Sequence, residues 1–160
     1  MFYNFKSLEQ MHRLFQCVEN CKDVAQLPEY HPEGDVFTHL VQTFHIAMRE
    51  SEDIDLIFAA LLHDVGKIVG PHGHADYSLS LLKEHISEKT AWLIKQHMRV
   101  NYFLSGEMRK LGKVKALCEH QFFCDLILLS RWDKAGRKAG WKPKYDRVDI
   151  IDRLEKFNNA

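Results

Sequence analysis

The chain has 160 residues, 46% of them hydrophobic and 28% charged, a profile that fits one soluble globular domain with a sizeable core and excludes a fibrous or disordered segment. Lys+Arg and Asp+Glu both number 22, so bulk charge gives no reason to expect a nucleic-acid surface or a membrane as partner. Met1–Lys6 carries no apolar run of signal-peptide length and no later stretch approaches a membrane span, so a cytoplasmic location is expected. Cys17, Cys21, Cys118 and Cys124 show no CxxC spacing; separations of four and six residues read as reduced thiols at helical core positions.

The apolar periodicity is helical from the start. Residues 5–25 read as a helix with Leu8, Met11, Leu14, Phe15 and Val18 on one face. Two prolines and a glycine make 27–35 a loop, after which helices are expected over about 36–50 and 54–65. Gly66, Gly70, Pro71 and Gly73 break the chain before a helix at about 75–86. Ser87 caps the next, to about His97, and Ser105 caps one at 106–117. A long apolar helix covers about 120–136 and a last one 146–157. Strand-type alternation, internal repeats and dividing linkers are all missing, which predicts an all-α, single-domain helical bundle over 1–160.

Histidine is the outlier. Eight of the ten lie between His31 and His97. The adjacent pair His63-Asp64 closes an apolar helix, where a carboxylate without a partner is costly. A divalent cation resolves that cost, because it takes a neutral imidazole nitrogen and a carboxylate oxygen together. Gly66 then lets the backbone turn away, and Lys67 emerges beside the ion, where an ammonium can meet a phosphate oxygen. His39 shares a helix face with Thr43 and Ala47, and Asp133 sits on the long apolar helix between Trp132 and Lys134. His74 directly precedes a helix and His97 stands near the end of another. A bundle builds metal sites from such inward-facing side chains, with the site in its core.

The order His39 … His63-Asp64 … Asp133 resembles the HD-domain superfamily of metal-dependent phosphohydrolases, over about residues 30–140. The segment His31-Pro32-Glu33-Gly34-Asp35-Val36-Phe37-Thr38-His39 is similar to the start of the HD domain in bacterial tRNA nucleotidyltransferases. Leu61-Leu62-His63-Asp64-Val65-Gly66-Lys67 matches the signature pair with its trailing Gly-Lys. Gly73-His74-Ala75-Asp76 is similar to a Gly-His-Glu element, and Asp133-Lys134-Ala135-Gly136 to the closing Asp. The resemblance implies that His39, His63, Asp64 and Asp133 hold a first metal. In dinuclear members His74 and His97 would complete a second, with Asp64 bridging. The short stretch between Asp64 and His74 leaves His72 as an alternative to His74. One or two divalent ions are expected, from among Mn, Fe, Co, Ni, Zn and Mg.

The expected activity is that of a metal-dependent phosphohydrolase in which activated water attacks the phosphorus of a small phosphate ester, such as a nucleotide. Asp64 and Lys67 are the catalytic candidates, with Lys67, Arg99, Lys134 and Arg137 as a cationic lining for the substrate. Tyr30, His31 and Glu33 either cover the site from their loop or form a structural turn. An alternative from another class remains open: a mixed-valence di-iron HD-domain oxygenase that uses the same six ligands and dioxygen to cleave a C–C or C–P bond. A non-catalytic binding module is disfavoured because every expected ligand is present. Oligomeric state has no signature in the sequence.

Overall fold

A computed structural model describes residues 8–82 and 84–158. The Met1–Lys6 segment and the first turn of the expected 5–25 helix lie outside the described residues. Eight α-helices follow in order: α1 (Leu8–Glu19), α2 (Val36–Glu50), α3 (Ile54–Leu62), α4 (His74–Leu82), α5 (Glu88–Leu104), α6 (Leu111–Cys118), α7 (Phe123–Ala135) and α8 (Arg147–Asn158). Among the described residues there is no strand, only an isolated bridge between Ala25 and Asp35. The fold is an all-α bundle, as the periodicity predicts.

Helix α3 is its axis. Every residue from Leu56 to Leu62 is buried, which is why this segment is apolar all round rather than on one stripe. Helices α1, α2, α5, α7 and α8 pack on it, and Phe15, Phe44, Phe58 and Trp132 fill the spaces between with fully buried rings. Caps set its start and those of its neighbours. The side chains of Asp35, Asp53 and Ser87 accept hydrogen bonds from the backbone N–H groups of Thr38, Leu56 and Thr90, satisfying donors that the first turn of a helix leaves over.

Several expected boundaries move, each for a local reason. Helix α1 stops at Glu19, because i→i−3 turns follow and Asp23 adopts φ 64°. The second Asp35 carboxylate oxygen accepts from the Asp23 N–H, and Val36 N–H donates to the Val24 carbonyl, so the 24–36 loop closes on itself. Helix α5 runs on past His97 to Leu104. Ser105 therefore ends a helix instead of beginning one, and Gly106 behind it takes the left-handed φ of 76° that favours glycine after a helix. The next helix begins only at Leu111.

The cysteines are free thiols, and Cys21 is buried, its thiol pushed up to about 12 by burial. Cys118 and Cys124 are exposed, which corrects their assignment to core positions: each lies on the outward side of a helix that is buried on one face only. No helix among the described residues is long and apolar enough to cross a membrane.

Candidate metal centre

Five elements bring the histidines and aspartates to one point. His39 comes from α2, His63 and Asp64 from the end of α3, His74 from the first turn of α4, and His97 from the middle of α5. Asp133 reaches in from α7. All six are buried, His39 and His63 completely. His72, by contrast, is exposed, so His74 is the imidazole that joins the cluster.

The protonation pattern follows from the partners. The Nδ1 of His63 lies 3.0 Å from the Ala60 carbonyl, that of His74 2.8 Å from Pro71 O, that of His97 2.6 Å from Ile94 O and that of His39 2.8 Å from Gly136 O. Carbonyls only accept, so each Nδ1 carries a hydrogen, and each Nε2, turned into the cluster, presents a lone pair whenever its ring is neutral. Those lone pairs then face one another: His39 and His63 Nε2 are 3.3 Å apart, His74 and His97 Nε2 3.0 Å. Two lone pairs at that separation repel unless a cation sits with them. Asp64 serves both pairs. Its Oδ2 lies 3.6 Å from the Nε2 of both His39 and His63, and its Oδ1 lies 3.0 Å from His74 and 3.4 Å from His97. Asp133 Oδ1 stands 3.1 Å from His39 Nε2 and 3.8 Å from His63 Nε2, on the first pair's side. Two trios, His39-His63-Asp64 and Asp64-His74-His97, keep their ligand atoms within 4.8 Å of one another. This donor set, imidazole nitrogen with a shared carboxylate, fits divalent transition metals.

The charges agree. Burial works to raise the Asp64 carboxyl, yet His63, the hydrogen bonds from His74 and His97, and Lys67 hold it well below the ordinary carboxylate range. Asp133 is held down likewise, against burial, by hydrogen bonds to His39 and His63. Burial lowers His63, whereas His39 is raised to about 9, the hydrogen bonds to Asp133 and Glu33 overcoming its burial. The cluster thus asks for positive charge at the Nε2 atoms, which a proton or a divalent ion can supply.

Around this set lies an orienting layer. Glu33 is buried, and its Oε1 lies 2.9 Å from both His39 Nδ1 and His31 Nδ1. Those hydrogen bonds bring its carboxyl down to about 2 in spite of burial. A carboxylate behind an imidazole fixes its ring and tautomer, as it does where the imidazole ligates a metal, so Glu33 forms part of the turn that supports His39 rather than a cover over the site. The sequence offered a faint signal, a carboxylate two residues from a histidine in a Pro-Gly loop. Ser78 was missed altogether. It accepts from Gly66 N–H at 2.8 Å and donates to the His63 carbonyl at 3.0 Å, tying α4 to the turn that carries Asp64. Its four-residue step from His74, along one face of α4, is the available sequence signal.

Two of the motif glycines, Gly66 and Gly136, are there for close approach. A Cβ on Gly66 would come 2.0 Å from the His74 carbonyl oxygen and 2.4 Å from Ser78 N. The glycine lets α4 cross directly over the 3-10 turn Val65–Ile68, which differs from the expected role of a simple chain reversal. A Cβ on Gly136 would meet Thr43 Oγ1 at 2.4 Å, where the backbone presses on α2 to offer its carbonyl to His39.

A cavity of about 730 Å³ opens onto the cluster, lined at this end by Asp64, His74, His97 and Asp133 with Lys67 and Arg137. Lys67 Nζ lies 2.7 Å from Asp64 Oδ2 and 2.8 Å from Gln26 Oε1. Arg137 donates to Asp133 Oδ1 at 3.1 Å and to the Tyr30 carbonyl at 3.4 Å, and its Nε–H is buried without a partner among the described residues. His31 and Tyr30 also line the cavity, Tyr30 with 60% of its surface exposed. The two other expected cations lie elsewhere. Arg99 lines a separate cleft of about 280 Å³ between α5 and α6, and Lys134 is exposed outside the cavity lining. Helical geometry gives the reason: at about 100° per residue, Arg99 is turned some 200° from His97 and Lys134 some 100° from Asp133. Arg137, four residues past Asp133, returns to its side.

The sequence profile of the HD domain family matches residues 36–155. The chain is 28% identical over 165 residues to the "Multifunctional CCA protein" of Acinetobacter baylyi, covering 98% of this chain and 36% of that protein. It is 30% identical over 158 residues to the protein of the same name from Verminephrobacter eiseniae, covering 86% of this chain and 38% of the relative. Over 76 residues it is 40% identical to the one from Thioalkalivibrio sulfidiphilus, 43% of this chain and 19% of the relative. The chain therefore spans little more than a third of the length of the curated relatives it matches along most of its own length. With three quarters of its residues matched and the histidine–aspartate cluster assembled in its core, the chain belongs to the HD domain family, a superfamily of metal-dependent phosphohydrolases.

Proposed function

We propose that this chain is a metal-dependent phosphohydrolase of small phosphate esters, with nucleotides the first class to screen, using a dinuclear centre. The observation that carries the reading is the division of the Asp64 carboxylate, one oxygen toward each histidine pair, with a lysine and an arginine at the same end of the cavity. His39, His63, Asp64 and Asp133 would hold one ion, and Asp64, His74 and His97 the other. Bound divalent ions supply Lewis acidity and draw a nucleophile from water near neutral pH. The chain's own groups do the rest. Lys67 and Arg137 meet the phosphoryl oxygens, the Arg137 Nε–H being a buried donor without an acceptor among the described residues. Glu33 and the four carbonyls keep every ligating imidazole in the tautomer that presents Nε2.

Protein loaded anaerobically with Mn²⁺ or Co²⁺ should release phosphate from phosphate esters. Strict dependence on iron and dioxygen, without phosphatase activity across a broad panel, would instead establish the oxygenase alternative. Two narrower outcomes belong to the same reading. His97→Ala should lower the metal-to-protein ratio, measured by plasma emission, from about two toward about one, since it strips a ligand from one ion only. Lys67→Met should keep its metal, because an ammonium has no lone pair to ligate with. Its kcat/KM on phosphate esters should fall by roughly 10–1000-fold if Lys67 stabilises developing charge. An unchanged rate would reduce Lys67 to a partner of Asp64.

A further inference from the structure

The cavity has a second chemistry beyond its cationic end. Leu27, Tyr30 and Met98 line it with side chains that are 63%, 60% and 39% exposed. Large apolar groups gathered around one concavity mark a place where ligand surface is buried. Two amides share that lining, Gln26 and Asn101. Each has its oxygen already engaged. Gln26 Oε1 accepts from Lys67 Nζ at 2.8 Å, and an ammonium can only donate, so the orientation of that amide is fixed and Nε2 points the other way. Gln26 Nε2 is buried and meets no acceptor among the described residues. Asn101 Oδ1 accepts from the Ser130 hydroxyl at 3.4 Å, and the residue lines the cavity. Asn101 stands one turn beyond His97 on α5, and Ser130 one turn before Asp133 on α7, so this pair flanks the metal cluster.

From this we infer that Gln26 and Asn101 are specificity-determining residues: their N–H groups read hydrogen-bond acceptors on the organic part of the substrate, whose flat, uncharged body lies against Leu27, Tyr30 and Met98. The inference rests on the phosphoester reading above and narrows it. The favoured ester carries a planar group bearing carbonyl or ring-nitrogen acceptors, and a hydroxyl-rich or short alkyl ester leaves the two donors unmatched. A buried donor without an acceptor discriminates strongly, because only a ligand that offers an acceptor gains the hydrogen bond.

The test is a ratio. Wild-type protein, metal-loaded, is assayed on the four nucleoside monophosphates, ribose 5-phosphate and glycerol phosphate. The expected result is a kcat/KM at least about tenfold higher for one or more nucleotides than for ribose 5-phosphate. In Asn101→Leu and separately in Gln26→Leu that ratio should drop by about tenfold through KM, with Asn101→His restoring part of it as a donor of similar reach. Calorimetric binding of the preferred nucleoside without its phosphate should weaken in parallel in both leucine variants. A purely structural loss would lower all substrates together and leave the ratio fixed, which overturns the inference, as does a wild-type protein that hydrolyses every ester equally. If no phosphate ester is hydrolysed, the phosphohydrolase reading fails instead; nucleoside binding by calorimetry, and its loss in the variants, then decides the recognition role by itself.

Discussion

Replacing Asp64 with alanine is expected to empty both halves of the centre at once. Its Oδ2 faces His39 and His63 and its Oδ1 faces His74 and His97, so no other single side chain serves both pairs. Removing His97 leaves all four ligands on the first side intact. Removing Asp64 leaves neutral imidazoles on the second side with no anion to balance a dication, and only Asp133 on the first. Bound metal should fall from about two per chain to well below one, since affinity depends on ligand charge as well as number. Phosphoester turnover should drop by at least about 1000-fold, the order expected when the ion's electrostatic stabilisation goes with it. A second readout separates this from general damage. Metal that binds only the native state stabilises it by about 2.7 kcal/mol at a hundred times Kd, so chelator should lower the wild-type Tm. The Asp64→Ala Tm should not respond to chelator. Full metal occupancy in that variant would refute the bridging assignment.

Gly66→Ala is the second large effect, and it acts through the backbone. The added Cβ would sit 2.0 Å from the His74 carbonyl oxygen and 2.4 Å from Ser78 N, both main-chain atoms of α4. No side-chain rotation relieves such contacts, so α4 must move away from the 3-10 turn. Overpacking of this kind costs about 1–3 kcal/mol, and here the shift also breaks the bond from Gly66 N–H to Ser78 Oγ. Because His74 begins α4, its Nε2 should withdraw from Asp64. The variant should show a lower urea midpoint with an unchanged m-value, together with a metal-to-protein ratio near one. Wild-type stability would mean that α4 is far more mobile on α3 than the Ser78 bonds imply.

These two residues stand at opposite ends of what could be read from the sequence. Asp64 was legible because its neighbours made it anomalous: an acidic side chain at the close of an apolar helix has to be compensated, whatever the fold. The same reasoning located His63 and Asp133, and helical periodicity alone gave the buried face of α1, the inward direction of His39 and the all-α class. Such inferences succeed because the cost of burying charge and the 3.6-residue repeat are local properties. Gly66, in contrast, has no local peculiarity that announces a crossing helix.

What only the tertiary structure decided concerns direction and distance between elements far apart in the chain. His74 rather than His72 enters the cluster because α4 starts at His74 and its first turn faces α5. Arg99 leaves the site because α5 continues past His97 and carries it round to the far side, whereas Arg137 comes back to Asp133 as α7 ends. Glu33 turns out to hold His39 from behind, across a loop that closes by hydrogen bonds between Val24 and Val36. Gln26 and Asn101, separated by 75 positions in sequence, became candidates only when a cavity placed both amides on its wall with their oxygens already spoken for. The sequence by itself determined which residues needed partners, since desolvation and periodicity act residue by residue. Which partner each one obtained was decided by how α2, α4, α5 and α7 pack around α3, since that packing alone sets the ångström-scale distances on which ligation and hydrogen bonding depend.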